Sequence, residues 1–397
     1  MKEISKIAST VQASTTLAID AMFKQMKADG IDVIGFGAGE PDFNTPAPIK
    51  AAGIEAIETN FTHYTPAAGI LPLREAVCMR MKTDYGLDYT PSQVVVATGA
   101  KYNLYLALSA VLNPGDEVIV PAPYWISYYE MVRMLGCVPV IVDAPEEEAF
   151  KLHPEQVAQA VTDRTKAIIL NNPSNPTGMV YTREELQAVA DICVKNDLYI
   201  IADEIYSKLI YDGATFTSIA SLSEEVKART ILVNGVSKAY AMTGWRIGYS
   251  CAPDNIAKVM ANLSSHSTSA PSSMSQKAAL AALTCDQTCV EEMRREFEAR
   301  RNYMVERMNQ IDGVSCLKPQ GAFYVMMNLK ELLGRTIHGT VISDADTFAD
   351  VFLREGLVCV VPCTGFGAPS HVRWSYATSL ENIKEGLDRL EKFLKQA

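Results

Sequence analysis

Ala167-Ile168-Ile169-Leu170 runs into Asn171-Asn172-Pro173-Ser174-Asn175-Pro176-Thr177-Gly178, and Leu198-Tyr199-Ile200-Ile201-Ala202 closes on Asp203-Glu204-Ile205-Tyr206. Between these two apolar runs, residues 183–196 carry apolar side chains at helical spacing, opened by Thr182 with Glu185 three positions on, a capping box. An unbroken apolar run, an amphipathic helix and a second such run describe two parallel strands, buried on both faces, and their crossover helix. The alternation extends outward on both sides. Runs at 94–98, 117–120, 138–142 and 231–234 are rich in Val and Ile, 248–251 adds a further short run, and residues 104–112 repeat the helical spacing. The pattern predicts an α/β large domain with a mostly parallel, seven-stranded sheet flanked by helices.

Beyond about residue 290 the pattern changes. A long charged helix over 291–309 leads to short runs at 314–317, 323–327, 358–361 and 372–374, with helices near 346–355 and 381–396. This mixture predicts a smaller α+β domain. Residues before 43 are too few to build a core and are expected to join it, since chain termini often pack together. The expected division is a large domain of 44–290 and a small domain of 1–43 with 291–397. A length of 397 residues agrees with two domains.

Composition narrows the partners. A formal net charge of −10 disfavours nucleic acid, which is bound through clustered Lys and Arg. No stretch approaches a membrane-spanning length, and the first residues lack the apolar run of a secretory signal. Nine scattered cysteines, an odd number, do not form a secreted disulfide framework and fit a reducing cytoplasm. Cys285 with Cys289, and Cys359 with Cys363, are spaced too loosely for a zinc set; the first pair reads as one helix face, and no metal is expected.

In open parallel sheets, ligands bind beyond the carboxyl ends of the strands. The run at 94–98 is followed by Gly99-Ala100-Lys101, a tight turn whose free N–H groups suit a phosphate, or simply an ordinary turn. The two prolines around Asn175 restrict its loop, with room for a cis bond, and give either a rigid platform for the amide or a plain helix start. Asp203 either serves a ligand, with Tyr206 about one turn beyond, or caps a helix. The run at 231–234 leads into Gly235-Val236-Ser237-Lys238-Ala239, where a lysine sits among small and apolar residues directly after a buried strand. Such burial lowers an amine's pKa and frees it to attack a carbonyl.

The chain resembles the fold-type I aminotransferases, in the bacterial aspartate aminotransferase branch that also holds prephenate aminotransferases. The likeness rests on an ordered set spanning nearly the whole chain: Gly37-Ala38-Gly39-Glu40-Pro41-Asp42-Phe43, Tyr64-Thr65-Pro66, Pro123-Tyr124-Trp125, Asn175-Pro176-Thr177-Gly178, Asp203-Glu204-Ile205-Tyr206, Ser237-Lys238-Ala239-Tyr240-Ala241-Met242-Thr243-Gly244-Trp245-Arg246 and Arg373-Trp374-Ser375-Tyr376-Ala377-Thr378. The resemblance implies pyridoxal 5'-phosphate held by Lys238 as a Schiff base, with Lys238 also the catalytic base. It implies Asp203 at the pyridine nitrogen, Tyr206 and Asn175 at the phenolic oxygen, and Trp125 stacked on the ring. The phosphate falls to the Gly99-Ala100-Lys101 turn, Ser237, Arg246, and Tyr64 from a second subunit, which requires a homodimer. Arg373 and Gly39 receive the substrate α-carboxylate.

Lys101 with Thr16 receives the distal carboxylate in aspartate-using relatives, and would equally serve prephenate. Ala100 and Tyr102 stand where many relatives carry Gly and Gln. The expected reaction is ping-pong transfer from aspartate to 2-oxoglutarate, giving oxaloacetate and glutamate. Alternatives within the cofactor class are prephenate or aromatic aminotransfer, and a lyase on the same fold. A serine-elbow hydrolase reading of 235–239 fails because Ala239 replaces the last glycine. A regulator's effector domain would need a DNA-binding domain, for which too few residues precede Gly37.

Overall fold

The computed structural model describes residues 2–9, 11 and 16–396, with residues 16–18 described in backbone only. The seven apolar runs form strands β1 (Val94–Thr98), β2 (Glu117–Ala122), β3 (Val138–Asp143), β4 (Thr165–Asn171), β5 (Tyr199–Asp203), β6 (Thr230–Gly235) and β7 (Ile247–Cys251). They make one sheet in the order β1-β7-β6-β5-β4-β2-β3. Only β7 runs antiparallel to its neighbours, so the other six carboxyl ends share one edge of the sheet.

Side chains alternate between two helix-covered faces. Val95, Ala97, Ile169, Ile201, Ile231 and Val233 enter one core, whereas Ile168, Leu170, Ile200 and Ala202 enter another. The edge strand β3 departs from the expected full burial: it pairs with β2 alone and leaves Val138 and Ile141 exposed. The helix between β4 and β5 spans Arg183–Lys195, and its capping box forms as expected. Thr182 Oγ1 accepts from the Glu185 N–H at 3.2 Å, and a Glu185 carboxylate oxygen accepts from the Thr182 N–H at 2.7 Å.

The C-terminal part builds an antiparallel sheet ordered Val361–Pro362, His371–Ser375, Tyr324–Asn328, Ser315–Cys316, packed by helices Thr288–Met308, Ala345–Glu355 and Leu380–Lys395. The single run expected over 358–361 is two strands. Val358–Cys359 pairs in parallel with Ile34–Gly35, and Val361–Pro362 pairs antiparallel with His371–Ser375, so the chain changes partner at Val360. Ile34 and Phe36 share one core with Phe297, Phe352, Trp374 and Leu387, and with Tyr206 and Leu209 from beyond β5. Ile34 to Phe36 are thereby tied to the C-terminal elements, and that core reaches the sheet's carboxyl edge, whereas the helix Lys6–Ser9 lies against the helix Ile126–Met134.

Cys285 and Cys289 do not share a helix face: Cys285 follows the helix Ser273–Thr284, and Cys289 lies in Thr288–Met308. No helix starts at Asp203, which removes the capping reading. Among the described residues no helix is long and apolar enough to cross a membrane.

Candidate active site

A cavity of about 420 Å³ opens at the shared carboxyl edge. Its walls include Gly39, Ala100, Lys101, Trp125, Asn175, Asp203, Tyr206, Ser237, Lys238, Arg246 and Arg373, brought together from across the chain. Gly99 stands just behind this wall. Tyr64 is fully exposed and lines no part of it. Thr16 opens the helix Thr16–Ala28, and its side chain lies outside the described residues.

The floor is set by strand register. Gly99 caps the helix Ala100–Val111 with a φ of 84°, and a Cβ there would fall 2.4 Å from an Arg246 guanidinium nitrogen. Gly248 in β7 lies so close to the turn that its Cβ would meet the Ala100 nitrogen at 2.1 Å. Two glycines thus press the guanidinium of Arg246 and the first amides of a helix into one corner. Such a corner concentrates positive potential suited to a phosphate. Ser237 and Lys238 follow β6 beside it.

Asp203 ends β5, paired in register with Asn171 at the end of β4. Burial pushes its carboxyl up to about 6, opposed by the Tyr128 hydroxyl, which donates to Oδ2 at 2.6 Å, and by the Ile205 N–H at 3.2 Å. A buried carboxyl of this kind gains from a cationic nitrogen facing it. Lys238 moves the other way. Loss of water brings its amine down to about 8; Glu40 opposes this, while Arg373 and Arg246 add to it. Its Nζ donates to the Gly39 carbonyl. An amine so lowered is unprotonated in a useful fraction near neutral pH and can attack a carbonyl.

The Asn172-Pro173 and Asn175-Pro176 bonds are both cis. Asn171 Oδ1 accepts from the Asn175 N–H at 2.7 Å, and Asn175 Oδ1 accepts from an Arg373 guanidinium N–H at 2.9 Å. A second guanidinium nitrogen of Arg373 donates to the Gly37 carbonyl at 3.1 Å. The third, Nε, is buried and has no partner among the described residues. A buried donor without an acceptor costs about 1–3 kcal/mol, which a bound carboxylate would recover.

Tyr128, Tyr324 and Glu40 also belong to the wall, although the sequence does not single them out. Tyr128 supports Asp203; its position three residues after Trp125, one helical turn along, was an available signal. Tyr324 shares a hydroxyl contact of 3.0 Å with Tyr206 and lies under the Arg373 guanidinium, 4.3 Å from its ring centroid. Nothing local in the sequence points to Tyr324, because a strand pairing between 324–328 and 371–375 places it. In the sequence Glu40 is one member of the 37–43 motif; in the structure its carboxylate accepts from the Thr243 hydroxyl at 2.6 Å. Among the described residues no three metal-ligating side chains cluster.

The chain matches the family profile of class I and II aminotransferases over residues 31–390. It is 50% identical over 396 residues to an aspartate aminotransferase of Bacillus sp. (strain YM-2), covering 100% of both chains. It is 45% identical over 395 residues to an aspartate/prephenate aminotransferase of Cereibacter sphaeroides, covering 99% of each. The crystal structure of the Rhizobium meliloti aspartate aminotransferase superposes with a TM-score of 0.96 at 38% identity, over 100% of both chains. The chain belongs to the class I and II aminotransferases, enzymes of fold-type I that exchange amino groups between amino acids and 2-oxo acids, and whose chemistry implies pyridoxal phosphate.

Proposed function

We propose that the cavity holds pyridoxal phosphate on Lys238 and that the enzyme moves the amino group of aspartate to 2-oxoglutarate, releasing oxaloacetate and forming glutamate in two half-reactions. One observation carries this reading: a single cavity combines an amine brought down to about 8 with a buried carboxyl pushed up to about 6. These are the two opposite perturbations that a carbonyl-linked, nitrogen-protonated ring requires of its protein. When bound, the cofactor supplies an electron-withdrawing ring that accepts the electron pair left on the substrate Cα.

The residues of the chain do the rest. Asp203 keeps a proton on the ring nitrogen, and Tyr128 and the Ile205 N–H keep Asp203 ionised. Asn175 spends its oxygen on Arg373, which leaves its Nδ2 and the Tyr206 hydroxyl to donate to the phenolic oxygen. Ser237, Arg246 and the Gly99-Ala100-Lys101 turn hold the phosphate, and Trp125 covers the ring. Tyr64, exposed on one chain, completes the phosphate site of a second copy, so the enzyme works as a homodimer with its cavities at the subunit interface. Lys238 Nζ takes the Cα proton. Arg373 binds the α-carboxylate through the donor left free, beside Gly39.

Lys101, 4.6 Å from the Trp125 ring centroid, and Thr16 receive the distal carboxylate. Apolar donors would leave that charge unpaired, which is the source of discrimination. The aspartate name of the Bacillus relative supports this choice. Prephenate also carries an additional carboxylate for Lys101, and the Cereibacter relative's name supports it as the second reading. The division into 44–290 and 1–43 with 291–397 is part of this proposal, as is a cytoplasmic setting, supported by nine cysteines left as thiols.

A panel of amino donors against 2-oxoglutarate, and of acceptors including prephenate, tests the assignment. Aspartate is expected to be the best donor. Prephenate as the best acceptor, or aromatic donors far ahead of aspartate, would replace it. Formation of a 2-oxo acid with no acceptor present would favour a lyase.

A further inference from the structure

The strand that carries Arg373 is held at its start. Side chains alternate between faces along His371–Ser375, so His371 and Arg373 point to the same side, two residues apart, and both are buried. On the neighbouring strand Tyr324–Asn328, Met326 pairs with Arg373 and Asn328 with His371. One carboxylate oxygen closes this end. Glu146 Oε2 accepts from His371 Nε2 at 3.1 Å and from the Asn328 side-chain amide. Ser370 Oγ lies 3.2 Å from the other ring nitrogen, and Phe150 meets the imidazole edge-on with ring centroids 5.5 Å apart. Glu146 itself comes from another part of the fold: it opens the turn Glu146–Glu148, three residues after β3. With 12% of the Glu146 side chain and 5% of the His371 side chain exposed, water competes little for the bond. The adjacent Glu147–Lys330 pair, 2.9 Å apart, is open to solvent and contributes little. Burial pushes the Glu146 carboxyl up, but His371, Asn328 and Lys330 outweigh it and hold the carboxyl below its ordinary value. Glu146 is therefore a charged acceptor at neutral pH.

We propose that Glu146 is a positioning residue for substrate binding, acting through His371 to fix the strand on which Arg373 receives the α-carboxylate; the inference rests on that role of Arg373. Glu146 lines no part of the cavity, so it touches neither substrate nor cofactor. Its effect is one of register. Arg373 is bonded to Asn175 Oδ1 and to the Gly37 carbonyl, which orients its guanidinium, but neither contact fixes the strand behind it. The Glu146 carboxylate does so, joining His371 and Asn328 on adjacent strands to the turn after β3. A guanidinium displaced by about 1 Å loses much of its hold on a carboxylate, because the two charged hydrogen bonds depend on distance and angle together.

The test is a double-mutant cycle of Glu146→Ala with Arg373→Lys in the full-length enzyme loaded with pyridoxal phosphate, assayed with aspartate and 2-oxoglutarate. Glu146→Ala should raise KM for aspartate roughly three- to tenfold and change kcat by less than about twofold. Glu146→Gln, which keeps an oxygen for both donors, should bring KM back to within about twofold of the parent. In the Arg373→Lys background, removing Glu146 should add less than about twofold, because the contact it acts through is already lost. Fully additive effects, or a Glu146→Ala enzyme that is less stable in urea with an unchanged KM, would make the residue purely structural and overturn the proposal. If Glu146→Ala does not fold, His371→Phe, which keeps a ring against Phe150 and removes the donor, is held to the same outcomes. An unchanged KM in Arg373→Lys alone would overturn the carboxylate role of Arg373 and this inference with it. A raised KM there, beside parent-like Glu146 variants, would overturn this inference only.

Discussion

The Tyr128 hydroxyl donates to Asp203 Oδ2 over 2.6 Å, with both residues buried at the carboxyl edge of the sheet. This bond favours the ionised carboxyl against the burial that pushes it up to about 6. Tyr128→Phe should raise that value further and leave less carboxylate at neutral pH to face the cofactor nitrogen. Pyridoxal phosphate should bind roughly tenfold more weakly at about pH 7, as expected for one hydrogen bond to a charged group, and recover toward about pH 9. Quenching of tryptophan fluorescence across that range measures it. A loss that is the same at every pH would assign Tyr128 to packing alone.

Asp203 also sets a pH dependence of stability in the cofactor-free chain. Its folded value of about 6 lies above the ordinary 3.8, so the folded chain keeps a proton that the unfolded chain releases. Stability should therefore fall as pH rises from about 4 to about 6, then stay lower. Asp203→Asn, which cannot ionise, should make the cofactor-free protein more stable than the parent above about pH 7, by about 3 kcal/mol at most, with the difference gone near pH 4. Urea midpoints at the two pH values decide it. The same variant should lose aminotransfer.

Arg373→Lys keeps the charge but loses the planar fork, including the buried Nε that lacks a partner. We expect kcat/KM for aspartate to fall roughly 10- to 100-fold, mostly through KM, the value of one or two charged hydrogen bonds. An unchanged KM would remove Arg373 from carboxylate binding.

Lys101 pairs with no acid among the described residues; burial lowers its pKa, with the Arg246 charge adding to this. Lys101→Ala should reduce kcat/KM for aspartate and glutamate by roughly 10- to 100-fold while changing alanine little. Equal losses for all three would place Lys101 at the phosphate or in the fold.

Gly248→Ala would drive a methyl group into the Ala100 nitrogen, where ideal geometry leaves 2.1 Å. The expected cost is about 1–3 kcal/mol of unfolding free energy, with weaker cofactor retention as the phosphate corner opens. Wild-type stability in chemical denaturation would show that β7 and the turn are less tightly fixed.

The sheet was legible because its inner strands, buried on both faces, leave apolar runs in which Val and Ile cluster; Ile247–Cys251, with one Ile and no Val, carries the weakest signal of the seven. Helices with weak contrast were not. Leu71–Tyr85 mixes charged and apolar residues around its circumference, and Ser273–Thr284 buries Ser275 and Gln276 among alanines. Gln276 is inside because its amide oxygen accepts from the Ile70 N–H at 2.8 Å and its nitrogen donates to Thr65 at 2.9 Å, partners some two hundred positions away. The site divides the same way. Lys238, Asp203 and Asn175 follow strands directly and stand out locally, whereas Tyr324 reaches Tyr206 only through a strand pairing that no local pattern encodes.

The reaction proposed for the cavity requires one lysine, Lys238, to carry the cofactor. Incubating the protein with pyridoxal phosphate, reducing it with borohydride and mapping the product by mass spectrometry tests this directly. The phosphopyridoxyl mass is expected on Lys238 and should be absent after Lys238→Ala. Labelling of a different lysine, or no stable label at all, would contradict it.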